Sequence, residues 1–308
     1  MCWPACMETQ AAARNGLITC ALMSAGCRSS TVRRMKVGDD VAVPPFDPVD
    51  PASLVWYHTI ELPGGVVTPG EYDHRRIVDR VGLPARLDGR RCLDVGTHDG
   101  FWAFEMERRG ASAVVALDVA DPEDLDWPEP RPPLSGDVRA FLAARKRAFG
   151  VAAAALGSRV EPRYESVYDL DPDTIGRFDF AFIGTLLHHL RDPIGALQAV
   201  RRVVDDQLVL VAVFSPWKTV LLPLTPVTEL ADFGNLPFWE IPNIAGLRRQ
   251  LEMGGWKVER WGRPHVQPYG QGWRMPRLSW RGRTWRTLPR QLLLRRGALH
   301  VSVVARRA

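Results

Sequence analysis

An α/β fold built on a doubly wound sheet is predicted by three observations. Apolar runs of strand length alternate with amphipathic helical stretches from about residue 90 to the end. The stretch Arg91–Asp118 reads strand, glycine turn, helix, strand, and Asp118 stands at the carboxyl end of the second strand. That places an acid about twenty residues past the turn, where a carboxylate can bind a ribose. A late pair of strand patterns, 256–261 and 299–305, closes the series after five earlier ones.

In the first unit, Cys92–Val95 is a short apolar run ending at Gly96. Gly96 and Gly100 bracket a tight turn, and Phe101–Arg109 is helical, with Phe101, Trp102, Phe104 and Met106 at core-facing spacings. Ala113–Leu117 is a second buried strand. A side chain at Gly96 would block a ligand from the backbone, and glycine also admits a positive φ there. The amides opening the next helix offer unpaired donors. The turn reads G-T-H-D-G, so His98 occupies the middle glycine position, and Asp94 and Asp99 lie before and inside it. A bulky residue between two carboxylates suits a pyrophosphate poorly. It suits a cationic ligand such as S-adenosylmethionine (SAM), whose amino and sulfonium groups are positive. Asp94, Gly96, Thr97, His98, Gly100 and Asp118 are the candidate residues for that ligand. The rival readings are a dinucleotide site and a βα junction without a ligand.

After a proline-rich loop at 122–133, residues 138–156 form a helix of Ala, Arg, Leu and Phe, and 160–166 a third strand. Tyr168 and Asp169 follow it, where a doubly wound sheet receives the ligand's base; the alternative is a loop packed by Tyr168. Phe178–Gly184 is a central fourth strand, and Gly184 at its end borders the crevice. His188 and His189 come next and are candidates for contact with substrate or cofactor; too few ligands lie nearby for a metal. A helix at 193–204 opens on Pro193, and 207–214 is a fifth strand. Residues 215–242 form a long insertion rich in Pro and aromatics, the kind of loop that serves as a lid or substrate wall. Asn243 is placed to cap the helix ending near Gly254.

The 308 residues suffice for a large core. Four of five cysteines fall within the first 27 residues with no C-x-x-C pair, a pattern that fits a reducing, cytoplasmic setting without zinc or a disulfide framework. Residues 1–45 differ from the remainder; a disordered extension or an upstream start codon is expected there. The apolar run at 16–25 is too short to span a bilayer. Residues 46–89 form an N-terminal cap segment, with an ordered aromatic loop after Trp56 and a helix over His74–Val81. The formal net charge is +5, yet eleven arginines and no acid lie from Arg263 to the end, leaving the rest of the chain acidic. The arm 262–297 interleaves Arg274, Arg277 and Arg281 with Trp280 and Trp285. Such a pattern can neutralise phosphates and stack on unpaired bases; an anionic membrane surface and a solvated arm are the other readings.

In this order the elements resemble the class I SAM-dependent methyltransferase superfamily, from about Trp56 to Ala308. LDVGTHDG at 93–100 matches its first motif, Asp118 its ribose acid, and Phe178–Gly184 the strand before the transfer site. The resemblance implies a Rossmann-like, seven-stranded sheet in the order 3-2-1-4-5-7-6 with the last strand antiparallel, and SAM as methyl donor. A narrower likeness is to methyltransferases that finish oxyacetyl or methoxy wobble uridines of tRNA. It rests on the Trp56 segment, G-T-L-L-H-H-L-R-D-P at 184–193 and F-W-E-I-P-N at 238–243. The carboxymethyl-transferring members have a Lys just after the tryptophan and a Tyr after the fourth strand. Tyr57 or His58, and His188, stand in those places here, which implies ordinary SAM. The resemblance implies methyl transfer to an oxygen, nitrogen or carbon nucleophile, with His188 or His189 as base. The acceptor is either a tRNA wobble uridine or a small molecule; a non-catalytic SAM-binding module is the remaining alternative. Oligomeric state is not legible.

Overall fold

All seven expected strands join one sheet. The computed structural model describes residues 51–129, 136–230, 237–273 and 298–308. We label the strands β1 (Arg91–Val95), β2 (Ala113–Asp118), β3 (Glu161–Tyr164), β4 (Phe178–Gly184), β5 (Val204–Val213), β6 (Trp256–Trp261) and β7 (Ala298–Arg307). They lie in the order β3-β2-β1-β4-β5-β7-β6. Strands β1 to β5 run parallel, and β7 is antiparallel to both β5 and β6. An eighth short strand, His265–Gln267, pairs with the start of β7, an addition the sequence pattern does not announce.

The strand sequences divide between two layers by simple alternation. In β1, Leu93 and Val95 join the core beneath helices Pro193–Val203 (α3) and Ile244–Met253 (α4), whereas Cys92 joins the opposite core. That second core is covered by helices Phe101–Arg108 (α1) and Gly136–Leu156 (α2), and by Trp56, Ile60, Leu62 and Leu87 of the N-terminal segment. Burying side chains of this size contributes roughly 1.5–3 kcal/mol each, which fixes residues 56–87 on the α1 face. The buried Arg109 adds a polar tie, donating to the carbonyls of Leu83 and Pro84 and pairing with Glu105 and Asp79. Edge strand β3 is short and exposed, and it tolerates Pro162 because one side of it makes no ladder.

Two expectations change. The helix expected over His74–Val81 is a 3-10 turn, His74–Arg76, continued by further turns. Asp73 precedes it, but its carboxylate is engaged by Arg75 and Arg76 and does not cap the turn. The insertion 215–242 carries structure of its own, a short helix Pro216–Leu221 and a hairpin of Thr228–Leu230 with Glu240–Pro242. It exposes Trp217, Val220, Leu221, Leu224 and Leu230. Buried Asn243 caps α4 by accepting from Gly246 N–H, as expected, and also donates to the carbonyls of Leu222 and Thr225.

Residues 1–45, and Arg274, Arg277, Arg281, Trp280 and Trp285 of the basic arm, lie outside the described residues. Cys92 is a buried free thiol, pushed up to about 12 by burial. Among the described residues no helix is long and apolar enough to cross a membrane.

Candidate active site

The carboxyl ends of β1, β4 and β5 open on a cavity. Its floor is Gly96, Gly184, Thr185 and Val211, and its opposite wall is Tyr57, His58, His74, His265 and Gln267. Topology explains the wall. Residues 56–74 pack on the α1 face, and antiparallel β7 begins where the parallel strands end, with His300 opposite Val213 and His265 opposite His300.

The glycine turn has the geometry its residues require. Gly96 and Gly100 have φ of +79° and +92°, and a Cβ on Gly100 would meet Phe104 and Phe149 at 2.5–2.8 Å. His98, in the middle glycine position, also adopts a positive φ of 52°. It is held there by its N–H, which donates to Asp118 Oδ2 at 2.9 Å, and by its ring against Tyr57 at 4.3 Å. Across the crevice, β-branched Thr185 takes φ 56°, and its N–H donates to Val211 O. A β-branched residue in that region is a genuine strain, and such strain concentrates at functional sites.

Asp94 is 1% exposed, and its Oδ2 has no hydrogen-bond partner among the described residues. Burial pushes its carboxyl up to about 7, and the Asp118 carboxylate adds to that rise. A cationic ligand would lower it again. Asp118 accepts from the His98 and Val119 amides, which aims the carboxylate over the turn. Glu165, which follows β3, has a buried Oε1 without a partner among the described residues. These donors and acceptors fit SAM: a buried acid for its positive end, a backbone turn open at Gly96, and a carboxylate for its ribose. SAM supplies an electrophilic methyl group on a sulfonium leaving group.

Other expected contacts are placed differently. The Tyr168 hydroxyl donates to Asp126 at 2.5 Å and accepts from Asp192 N–H, tying the loop after β2 to the start of α3. Burial first and the Asp126 hydrogen bond next push its hydroxyl pKa up. Asp169 is exposed in the turn Val167–Asp169. His188 and His189 do not line the cavity beside Gly96. His188 lies in a second, smaller cavity with Glu240 and Gln250, its ring against Phe238 at 4.4 Å, and burial holds its pKa well below the usual histidine range. His189 Nδ1–H donates to Pro237 O at 2.6 Å.

The residues that do face the cavity were not legible as a group. Asp99 is fully buried; its Oδ2 accepts from the N–H groups of Tyr57 and His58 at 2.7 and 2.8 Å, and its Oδ1 from His58 Nδ1–H. The Gln267 amide donates to His74 Nε2 at 2.5 Å. That leaves the proton on His74 Nδ1, which has no partner among the described residues. His74 is held neutral, its pKa well below the usual range, by burial first and then by His58, His300 and His265. His265 is lowered as well, chiefly by burial, and its buried Nε2 has no partner among the described residues. No group of three His, Cys, Asp or Glu among the described residues is arranged to hold a metal ion.

A family model described as a methyltransferase domain matches residues 70–277, which span the turn, both crevice strands and the cavity wall from His74 to Gln267. The chain belongs to the methyltransferase domain family. Its sheet order is Rossmann-like. Among curated proteins, the tRNA U34 carboxymethyltransferase of Pseudomonas aeruginosa (strain LESB58) is 28% identical over 186 residues, 59% of this chain and 49% of that protein. The enzyme of the same name from Pseudomonas paraeruginosa (strain DSM 24068 / PA7) is 28% identical over 185 residues. The methyltransferase therefore spans about half the length of the curated relatives it matches. Among solved structures, the N-terminal domain of EvdMO1, crystallised with S-adenosylhomocysteine (SAH) and D-fucose, aligns over 82% of this chain and 91% of that one, with a TM-score of 0.50 and 19% identity. The 1,6-didemethyltoxoflavin-N1-methyltransferase of Burkholderia thailandensis aligns over 76% and 74%, with a TM-score of 0.44 and 15% identity.

Proposed function

We propose that this methyltransferase alkylates a polar acceptor whose reacting group reaches the histidine cavity, and that the acceptor is a nucleoside of the tRNA wobble-uridine type. The observation that carries the cavity assignment is its lining: His74 Nδ1 and His265 Nε2 are buried without partners among the described residues, and both residues line the cavity together with Gly96 and Thr185. Unpaired buried polar atoms are costly, about 1–3 kcal/mol each, unless a ligand satisfies them. Likeness to the tRNA U34 carboxymethyltransferases supports the nucleoside reading. Asp94, Gly96, Thr97, His98, Gly100 and Asp118 hold the methyl donor in this reading, with Glu165 beneath its base. Gly184 separates donor from acceptor, and Tyr168 and Asp169 bound the base site. The segment 215–242 acts as a lid, and Arg274, Arg277, Arg281, Trp280 and Trp285 contact the RNA. His188 and His189 shape the strand end rather than take the proton.

The test is transfer of labelled methyl from SAM to tRNA lacking wobble-uridine modification, with tRNA binding followed across a salt series. Labelled tRNA, with affinity falling steeply as salt rises, is the expected result. A small-molecule acceptor is the second reading, favoured by the way residues 57–72 and 268–272 close over the cavity through backbone hydrogen bonds at Tyr72, Asp73, Gly270 and Gly272. Label in a low-mass cell extract, with none in tRNA, establishes it instead.

A further inference from the structure

We propose that His58, oriented by Asp99, is the general base of the reaction. The proposal rests on the cavity reading above and adds to it the proton acceptor.

The geometry is that of an oriented imidazole. Asp99 is 0% exposed and His58 3%. Asp99 holds the His58 ring through Nδ1 and the same residue's backbone through N–H. From the other side, His58 O accepts from the Thr68 hydroxyl at 3.0 Å, and that hydroxyl accepts from Ile60 N–H. Gly70 seals the arrangement by close approach: a Cβ there would fall 2.1 Å from the His58 carbonyl carbon. With Nδ1–H committed to a carboxylate, the tautomer is fixed and the basic lone pair lies on Nε2. Among the described residues Nε2 makes no hydrogen bond, and His58 lines the cavity together with Gly96 and Thr185. Among the described residues no other histidine that lines this cavity has a carboxylate partner: His74 is paired with Gln267, and His265 Nδ1 with the Arg263 carbonyl.

For a hydroxyl acceptor the step balances with these groups. The acceptor hydroxyl gives its proton to His58 Nε2 as an oxygen lone pair forms the new bond to the methyl carbon. The carbon–sulfur bond breaks, and its electron pair stays on sulfur. The products are a methyl ether, neutral SAH and a His58 imidazolium stabilised by Asp99. A thiolate, a carboxylate or a neutral amine attacks without losing a proton first, whereas a hydroxyl, an imide N–H or a carbon acid does not, so a carboxylate-oriented base is matched to an acceptor of the second kind.

The test has a part independent of turnover. Nitrogen-15 NMR of the full-length protein at neutral pH should show His58 protonated at Nδ1 and bare at Nε2, with the Nδ1 proton signal lost in Asp99→Asn. A His58 ring protonated at Nε2 would overturn the proposal. Turnover is then measured with 5-hydroxyuridine, catechol and a methyl glycoside as hydroxyl probes, against uridine and a thiol. His58→Gln should bind SAM in calorimetry as the wild type does. It should lower kcat on the hydroxyl probe by on the order of 10²–10⁴-fold. Turnover of His58→Gln within a few-fold of wild type, or transfer to the thiol alone, overturns the base and leaves the cavity reading standing. A wild-type chain that binds no SAM removes both.

Discussion

Two groups of histidines sit at the carboxyl end of the same sheet, and their surroundings make them different chemical objects. His188 and His189 follow β4 and pack against Phe238 and each other, and His188 Nδ1 is buried without a hydrogen-bond partner among the described residues. His58 comes from a loop far away in sequence, yet Asp99 grips its ring and its backbone. Proximity to a crevice is therefore a weak guide to a base. Orientation by a buried anion, and a free nitrogen facing the reacting face, are the better criteria.

The largest separation between the two groups should come from replacing each. His58→Gln is expected to lose on the order of 10²–10⁴ in kcat, whereas His188→Gln should change kcat by less than about tenfold, a bound drawn from its position outside the reacting cavity. Equal losses at matched SAM affinity would erase the distinction. The donor side offers the next effect. Asp118→Ala removes the acid held by His98 and Val119 N–H, and calorimetry should show SAM affinity falling by roughly 100-fold or more, the worth of one or two hydrogen bonds to a charged group. Unchanged affinity would overturn the ribose assignment.

Gly70→Ala probes the scaffold beneath His58. The clash with the His58 carbonyl should lower stability by about 3 kcal/mol, and it should reduce kcat by more than it weakens SAM binding. A variant with normal kcat would show that His58 need not be held so closely. Stability against pH separates the buried imidazoles as a class. The folded-state pKa values of His74 and His188 lie well below 6.5, so the unfolded chain gains protons that the folded one refuses. Stability is full above about pH 6.5 and falls as pH drops below it. His188→Phe should flatten that fall in thermal unfolding between pH 7 and 5; an unchanged slope would place its origin in His74. Asp94 has the opposite sense. With a folded pKa of about 7 against 3.8, its share of stability is present below pH 3.8 and lost as pH rises through 7. Asp94→Asn should therefore be more stable than wild type at pH 8, by up to a few kcal/mol, while binding SAM less well.

Much of the sheet was legible because its signals are local. Period-two alternation, the glycines bracketing the turn at Gly96–Gly100, Pro193 at the start of α3 and the cap at Asn243 are each written within a few residues. The strand His265–Gln267 was not, since three residues carry too little periodicity to distinguish them from loop. Nor was the turn at His74–Arg76, where Asp73 pairs with two arginines instead of capping a helix. His188 and His189 stood out as adjacent histidines after a central strand, but adjacency in sequence does not say which way a ring faces.

By itself, then, the sequence determined the βαβ unit at the centre of this protein: a strand, a turn at Gly96, a helix, and Asp118 at the end of the next strand. Those features are contiguous, and their geometry follows from backbone preferences and alternation. The histidine cavity was decided by tertiary structure alone. His58 meets Asp99 across 41 residues and His74 meets Gln267 across 193. These meetings depend on which face of the sheet the N-terminal segment buries and on the antiparallel return of β7, long-range outcomes of packing that no local pattern encodes.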